Sequence, residues 1–460
     1  MDLKGKKVLV IGFGKTGKAA TQFLLNRQAS VIVTDKKTCW EREDDLDFFK
    51  KRGTEFVLGS HPAELFLRPD IIVISPGVDS NLKGLSDAQK QGIPVMSEIE
   101  LASRFITVPI IAVTGTNGKT TTTSLIAEIL QHSGFSVFMG GNIGTPLINV
   151  VQDAVQADFI VVELSSFQLE TIKEFTPHIA ILLNLSEDHL DRHSSFNSYC
   201  KIKFRIFINQ SREDFAIVNR TDEACTPMIP GLTPQVVSFG SPSFSGKGVY
   251  FDPQFLYYRQ EDDSTHAYEL AKVKLLGEHN KENMAAAVAA AELCGCPQGK
   301  IQESLELFRG LEHRLEYVQK IEEVSFYNDS KATNIDSLVK ALQSFPGNIL
   351  LIAGGREKGG DYEDLKKEIE TKVKMIILLG EAREKFFRLF HSLTSTRLVE
   401  GMEQAVQVAF QNAQGGDVVL LSPGCASFDM FSNYEERGKI YKEAIVKLAE
   451  THQTKEGMKL

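Results

Sequence analysis

One pattern recurs through most of this chain: a short β-branched or apolar run, a Gly- or Ser-rich turn, then a segment of helical character. That alternation predicts an α/β fold with parallel sheets covered by helices, because a parallel connection needs a crossover long enough to hold a helix. Candidate strands are 7–11, 31–34, 70–75, 110–114, 159–164, 179–185, 349–353, 375–379 and 418–421. Each is short and mostly continuous in its apolar character, as strands buried on both faces should be.

At 460 residues the chain is too long for one core, and three domains are expected. A first unit is expected over 1–97, because a second phosphate-type loop starts near Ile110. The second unit, 98–311, contains a polar stretch from about 221 to 268 that reads as a β-rich elaboration, then an Ala-rich helix over 280–293. The third unit is 312–460.

The 60 acidic residues exceed the 51 basic ones, giving a net charge of -9, which disfavours a nucleic-acid partner. No apolar stretch reaches the roughly 18 residues of a membrane helix, and the run 8–11 stops at Gly12, far short of a signal-peptide core. The six cysteines, Cys39, Cys200, Cys225, Cys294, Cys296 and Cys425, form no CxxC pair. Reduced thiols, a cytoplasmic location and no membrane association are expected.

Gly12-Phe13-Gly14-Lys15-Thr16-Gly17 is a complete GxGxxG between a strand and a helix, with Asp35 ending the next strand. Its glycines let backbone approach a phosphate at a helix N-terminus, and an acid at position 35 is placed to bind a ribose. Taken alone it leaves hydride transfer, another nucleotide or a structural tight turn open. The second loop, Gly115-Thr116-Asn117-Gly118-Lys119-Thr120, follows strand 110–114 and leads into Thr121 and a helix. Val113 stands where the first glycine of GxxxxGK[ST] belongs, yet the parts agree: N–H groups for phosphates, a Lys for the β and γ phosphates, a hydroxyl for Mg2+. Two further strands run into Glu163 and into Asp188-His189-Leu190-Asp191. Ligands of open parallel sheets bind outside the carboxyl ends of strands, so Thr120, Glu163 and His189 are expected to converge on a Mg2+ site.

These strings, with Gly-Gly-Asn-Ile-Gly at 140–144, Glu163 to Gln168, Gly277-Glu278-His279-Asn280 with Asn283, His313-Arg314, the run Asn328 to Asn334, and Ser422 to Asp429, resemble the Mur ligases of peptidoglycan synthesis. The likeness is greatest to the D-glutamate-adding branch and spans almost the whole chain. It implies a Rossmann-like N-terminal domain that holds a UDP-sugar, a central P-loop-type ATPase domain and a Rossmann-like C-terminal domain that brings the amino acid. The implied activity is ATP-dependent amide formation between UDP-N-acetylmuramoyl-L-alanine and D-glutamate through an acyl phosphate. Absence of the Asp-Asn-Pro-Arg quartet of the diamino-acid-adding relatives favours D-glutamate.

The resemblance implies roles residue by residue. Gly14, Thr16, Asp35, Lys37 and Gly77 would serve the UDP moiety, and Asn142, Ser165 and Gln168 the muramoyl part. Gly115 to Thr121 would hold ATP with Asn283, Arg314 and Asp329, while Lys331 would lie near the transferring phosphoryl group. Thr120, Glu163 and His189 would bind two Mg2+ ions together with Lys203 as a CO2-derived carbamate, and Lys119, His189, Lys203 and Lys331 would form the catalytic set. Thr333, Lys358, Ser427 and Phe428 would receive D-glutamate, the last two at a strand-to-helix turn. By pattern alone Lys201 is an equal candidate to Lys203; only the family spacing from Tyr199 selects 203. A monomer is expected. An NAD-dependent oxidoreductase would leave the second loop unexplained, and a folylpolyglutamate-type ligase should need no UDP-type first domain.

Overall fold

The computed structural model describes the chain except residues 39–42, 79–81, 143, 152–155, 189–191, 194, 242–245, 276, 358, 360–361 and 458–460, and the side chains of 43–45 and 452–457. Two compact units form: Met1–Ala271 with Glu282–Leu305, and Lys272–Lys281 with Glu306–Leu460. The first unit holds two sheets and the second holds one.

The first sheet contains β1 (Lys7–Ile11), β2 (Ser30–Asp35), β3 (Glu55–Leu58), β4 (Ile71–Ile74) and β5 (Val95–Ser97), all parallel, in the order β3-β2-β1-β4-β5. The central strands are apolar throughout because helices cover both faces: Val8 and Val10 face one core, Leu9 and Ile11 the other. Strand order reverses at β1, so the glycine loop after it lies at the switch point where such sheets bind ligands.

The second sheet runs β14-β13-β12-β11-β10-β9-β6-β8-β7. Its strands are β6 (Ile110–Thr114), β7 (Val137–Gly141), β8 (Phe159–Glu163), β9 (Ile179–Leu182), β10 (Phe215–Asn219), β11 (Gln235–Gly240), β12 (Gly248–Phe251), β13 (Phe255–Arg259) and β14 (Thr265–Glu269). The stretch expected to be a β-rich elaboration does contain strands, but they extend this same sheet and end it in an antiparallel meander, β12 to β14. The Ala-rich helix is Glu278–Leu293, and Ala285 to Ala291 are fully buried, so small side chains let it pack from every side.

The third sheet runs β15-β16-β20-β17-β18-β19, from β15 (Glu316–Ile321), β16 (Val324–Asn328), β17 (Ile349–Gly354), β18 (Val373–Leu379), β19 (Ser395–Leu398) and β20 (Val418–Leu421). Only β15 pairs antiparallel. Outside the expected β-rich stretch, the strands absent from the expectation are β3, β5, β7, β10, β15, β16 and β19; several carry mixed polarity that dilutes an apolar run, but β10 is apolar and buried and does carry the signal. Strand 179–185 was expected too long: β9 stops at Leu182, and 183–188 form a loop. Cys200, Cys225, Cys296 and Cys425 are buried free thiols and Cys294 is half-buried; Cys39 lies outside the described residues.

Candidate active site

The loop after β1 is shaped by contacts only glycine permits. Gly12 has φ +89°, and a Cβ on Gly17 would lie 1.8 Å from the Gly12 carbonyl oxygen. Asp35, at the end of β2, accepts from the Phe13 N–H (2.6 Å) and from the Lys37 N–H (2.8 Å), so it closes this loop. Beside it opens a cleft of about 440 Å3. Gly14, Thr16, Asp35 and Gly77 line one side, and Asn142 and Gln168 line the other. Lys37 and Ser165 are not in its wall; Lys15 and Lys36 are, two cations the motif did not single out. Ser165 is occupied as a helix cap: its hydroxyl accepts from the Gln168 N–H (3.3 Å), and Gln168 Oε1 accepts from the Ser165 N–H and hydroxyl (3.0 Å each).

The phosphate loop follows β6, whose neighbours are β8 and β9. Gly115 (φ +152°) and Gly118 (φ +83°) take conformations other residues avoid, and Gly118 starts helix Lys119–His132. Lys119 Nζ folds back over the loop and donates to the carbonyls of Gly115 (2.9 Å) and Thr116 (2.8 Å). Asn117 N–H donates to Asn184 Oδ1 (2.8 Å), and the Thr116 hydroxyl bonds Ser186 and the Tyr199 hydroxyl, so the loop after β9 braces the turn from below. Thr121 is buried at the start of the helix. Asn283 lies against this loop, where a Cβ at Gly118 would meet its Oδ1 at 2.1 Å.

Strand register then delivers the acid. Glu163 ends β8 opposite Val113 of β6 and Gly141 of β7, and is 2% exposed. Its Oε2 accepts from the Thr120 hydroxyl (2.9 Å) and its Oε1 from Asn142 Nδ2 (2.7 Å). Hydroxyl and carboxylate oxygens suit a hard cation such as Mg2+. His189, expected beside them, lies outside the described residues.

Helix Phe196–Phe204 separates the two candidate lysines: Lys201 points to solvent, while Lys203 is 2% exposed. Lys203 Nζ donates to the Gly115 carbonyl (2.8 Å) and Thr114 Oγ1 (3.4 Å) and sits 4.9 Å from the Tyr199 ring centre. Burial first, then the nearby Lys119 charge, drives its pKa well below the ordinary lysine value, against the pull of Asp188 and Glu163. That shift moves the lysine toward its neutral form.

In the second unit, Asp329 and Lys331 follow β16 and Ser427 follows β20, which are adjacent strands. Asp329 accepts from the Ser422 hydroxyl (2.8 Å) and the Leu315 N–H (3.2 Å), and burial pushes its carboxyl up to about 7. Lys331 Nζ lies 3.7 Å from the Tyr434 ring centre. Arg314 sits on a turn whose flanking residues His313 (φ +66°) and Leu315 (φ +42°) are left-handed, an arrangement that holds only when the surroundings enforce it. Thr333 is half-buried just before the helix cap Asn334. Backbone bonds from Gly424 to Ala332 and between Arg356 and Ala426 bring the Thr333 and Ser427 loops to one edge. Ser427 is buried, its carbonyl accepting from Met430 and Phe431, and Phe428 is 64% exposed. These two do not sit at a strand-to-helix turn as expected, because a loop separates Leu421 from the next helix at Tyr434. Lys358 lies outside the described residues.

Sequence reasoning missed Arg437. It is buried, its Nη1 donates to the Cys425 carbonyl (3.1 Å), and Nε and Nη2 donate to the Ser330 hydroxyl (2.9 Å) and carbonyl (2.7 Å). One guanidinium thus ties two site loops together. A lone arginine near a helix start carries no sequence signal for this.

Comparison with known proteins agrees along the chain. The N-terminal domain of MurD-like Mur ligases matches residues 6–97, the Mur ligase middle domain 113–291, and the Mur ligase glutamate ligase domain 313–425. A UDP-N-acetylmuramoylalanine--D-glutamate ligase of Geotalea uraniireducens is 44% identical over 97% of this chain and 98% of its own length. One from Geotalea daltonii is 43% identical over 98% and 99%. A pseudomurein peptide ligase type C from Methanothermus fervidus, 21% identical, superposes with a TM-score of 0.61 over 96% of this chain and all of its own, which shows a shared fold. With three domain matches in order and relatives alike over nearly their full length, the chain belongs to the Mur ligase family.

Proposed function

We propose that this chain is the ATP-dependent ligase that joins D-glutamate to UDP-N-acetylmuramoyl-L-alanine, giving ADP and phosphate, in the cytoplasmic stage of peptidoglycan synthesis. The observation that carries this reading is the Thr120–Glu163–Asn142 hydrogen-bond chain, which links the phosphate loop to a residue lining the nucleotide-sugar cleft. The relatives named as D-glutamate ligases support the acceptor. Among the described residues no helix is long and apolar enough to cross a membrane.

On this reading residues 1–97 bind the UDP-sugar, 98–311 bind ATP and 312–460 bring D-glutamate. The glycine loop with Asp35, Lys37 and Gly77 takes the uridine diphosphate, and Asn142, Ser165 and Gln168 flank the muramoyl arm. Lys119 and the N–H groups of 115–121 hold the phosphates, with Asn283, Arg314 and Asp329 on the nucleoside. Bound Mg2+ would neutralise phosphate charge, held by Thr120, Glu163, His189 and Lys203 as a carbamate. The γ-phosphoryl passes to the substrate carboxylate while its bond to ADP breaks, with Lys331 beside it. The amine of D-glutamate then attacks the acyl carbon, loses a proton, and phosphate leaves; Thr333, Lys358, Ser427 and Phe428 receive the amino acid. Positioning and charge carry such transfers.

Carbamate formation needs an unprotonated amine: CO2 carbon bonds to Nζ and a proton leaves. The depressed Lys203 pKa supports that step. ADP release by purified protein with UDP-N-acetylmuramoyl-L-alanine and a panel of amino acids tests the whole assignment. D-glutamate should stimulate it, and stimulation by L-lysine or diaminopimelate instead would overturn it.

A further inference from the structure

We propose that Arg192 is a positioning residue for the nucleotide-sugar substrate, acting by pinning the two walls of the cleft to each other. Val78, after β4, and Gln168, after β8, both line that cleft. Arg192 Nη2 donates to the Val78 carbonyl (3.0 Å) and to Glu170 Oε2 (3.1 Å), and its guanidinium lies 4.6 Å from the Phe167 ring centre. A single side chain therefore holds the Val78 wall and brackets Gln168 through Phe167 and Glu170.

The mount is itself fixed from behind. Phe167 stacks on the buried His193 (5.7 Å between centres, 25°), His193 Nε2 bonds the Ser166 hydroxyl (3.1 Å), and the His193 ring meets Tyr199, which reaches the phosphate loop through Thr116. A guanidinium can stack flat on an aromatic ring while its edge donates to a carbonyl and a carboxylate; an ammonium can sit over a ring and donate, but has no planar face to stack and no in-plane fork. Arg192 is 21% exposed and its partner Glu170 14%, so the pair is only weakly screened by solvent. The contacts run to the cleft walls and not to the phosphate loop directly, so losing Arg192 should weaken capture of the UDP-sugar far more than ATP use.

This inference rests on the cleft being the UDP-sugar site. The test is steady-state kinetics of Arg192→Ala, Arg192→Lys and Glu170→Gln, with UDP binding by calorimetry and thermal melting alongside. Loss of a charge-assisted bond and a stacking contact should raise KM for UDP-N-acetylmuramoyl-L-alanine about tenfold or more in Arg192→Ala. KM for ATP should stay within about twofold, and Arg192→Lys should fall between Ala and wild type. Glu170→Gln should raise the same KM, and the double variant should show less than the product of the two effects. An unchanged UDP-sugar KM in a folded Arg192→Ala protein overturns the proposal, as do equal rises in both KM values with a lowered melting temperature. If the alanine variant does not fold, Arg192→Lys decides: a selective KM rise supports the idea and wild-type values refute it. Should the wild type ignore the UDP-sugar in turnover, the functional reading fails instead. Binding of UDP to wild type and variants then judges Arg192: tighter binding by the wild type supports the positioning role, and equal or absent binding refutes it.

Discussion

The glycine loop after β1 and the phosphate loop after β6 share a plan of parallel strand, glycine turn and helix N-terminus, yet opposite charges close them. In the first, the Asp35 carboxylate takes the Phe13 N–H. In the second, the Lys119 ammonium spans the carbonyls of Gly115 and Thr116. A carboxylate bound at a loop N–H competes with phosphate there, whereas a lysine inside the loop adds to the helix field that attracts it. The scaffold is generic; the side chain that closes the turn decides how much negative charge it takes.

The largest expected effect breaks the second loop. Lys119→Ala should lower ADP release by about 10²–10³-fold or more while thermal melting stays near wild type, since the half-buried side chain gives up a charge and no core volume. Near-normal ADP release would put the two loops on an equal footing and remove the distinction. Next comes Lys203→Ala, expected to lose on the order of 10²-fold in turnover and to regain part of it with acetate or another short carboxylate. Lys201→Ala, on the solvent side of the same helix, should stay active. Full activity of the alanine variant at 203 without additive would refute a carbamate.

The first loop is tested by stability. Alanine usually improves a helix, but at Gly17 its Cβ would strike the Gly12 carbonyl, so Gly17→Ala should destabilise by about 2–3 kcal/mol. Gly14→Ala, with nothing within 4 Å of its Cβ, should be close to neutral in the same melting experiment. Equal melting temperatures for the two would show that the turn is loose.

The smallest effect concerns the joint between the loops. Glu98 opens helix Glu98–Ser103, accepts from the Ile148 N–H (2.6 Å), keeps Oε2 without a hydrogen-bond partner, and is pushed by burial from 4.5 up to about 7. A folded-state pKa above the unfolded one means stability is fully present below about 4.5 and is lost as pH rises through 7. Between pH 6 and 8 that loss should be on the order of 1 kcal/mol. Glu98→Gln should remove it, and an unaltered pH profile would show that this acid titrates elsewhere.

Much of this was legible before any coordinates. The two loops announce themselves because glycines, a lysine and a hydroxyl occur in order between an apolar run and a helix, and every part is local. Glu163 was legible as a strand end, and adjacency of β6 and β8 turned that into a contact with Thr120. The choice between Lys201 and Lys203 was not legible from pattern, since helix Phe196–Phe204 has little amphipathic character; burial decides it. The resemblance implies Lys37 for the UDP moiety, yet Lys36 lines the cleft because the chain turns at Asp35. Arg192 and Arg437 stayed hidden because each acts on residues far away in sequence. Edge strands such as β19 were missed because half-exposed strands lack a continuous apolar run.

The buried thiols have a use of their own. Burial raises the pKa of Cys225, and of Cys294 and Cys425 to about 12, so almost none is thiolate at neutral pH. A thiol-specific reagent can reach the buried Cys225 and Cys425 only when the surrounding structure opens. Once Cys39 and the half-buried Cys294 are replaced, labelling rates at Cys225 would clock local opening beside the second sheet and those at Cys425 beside the third. The native chain thus carries separate, built-in reporters of how each of its compact units breathes.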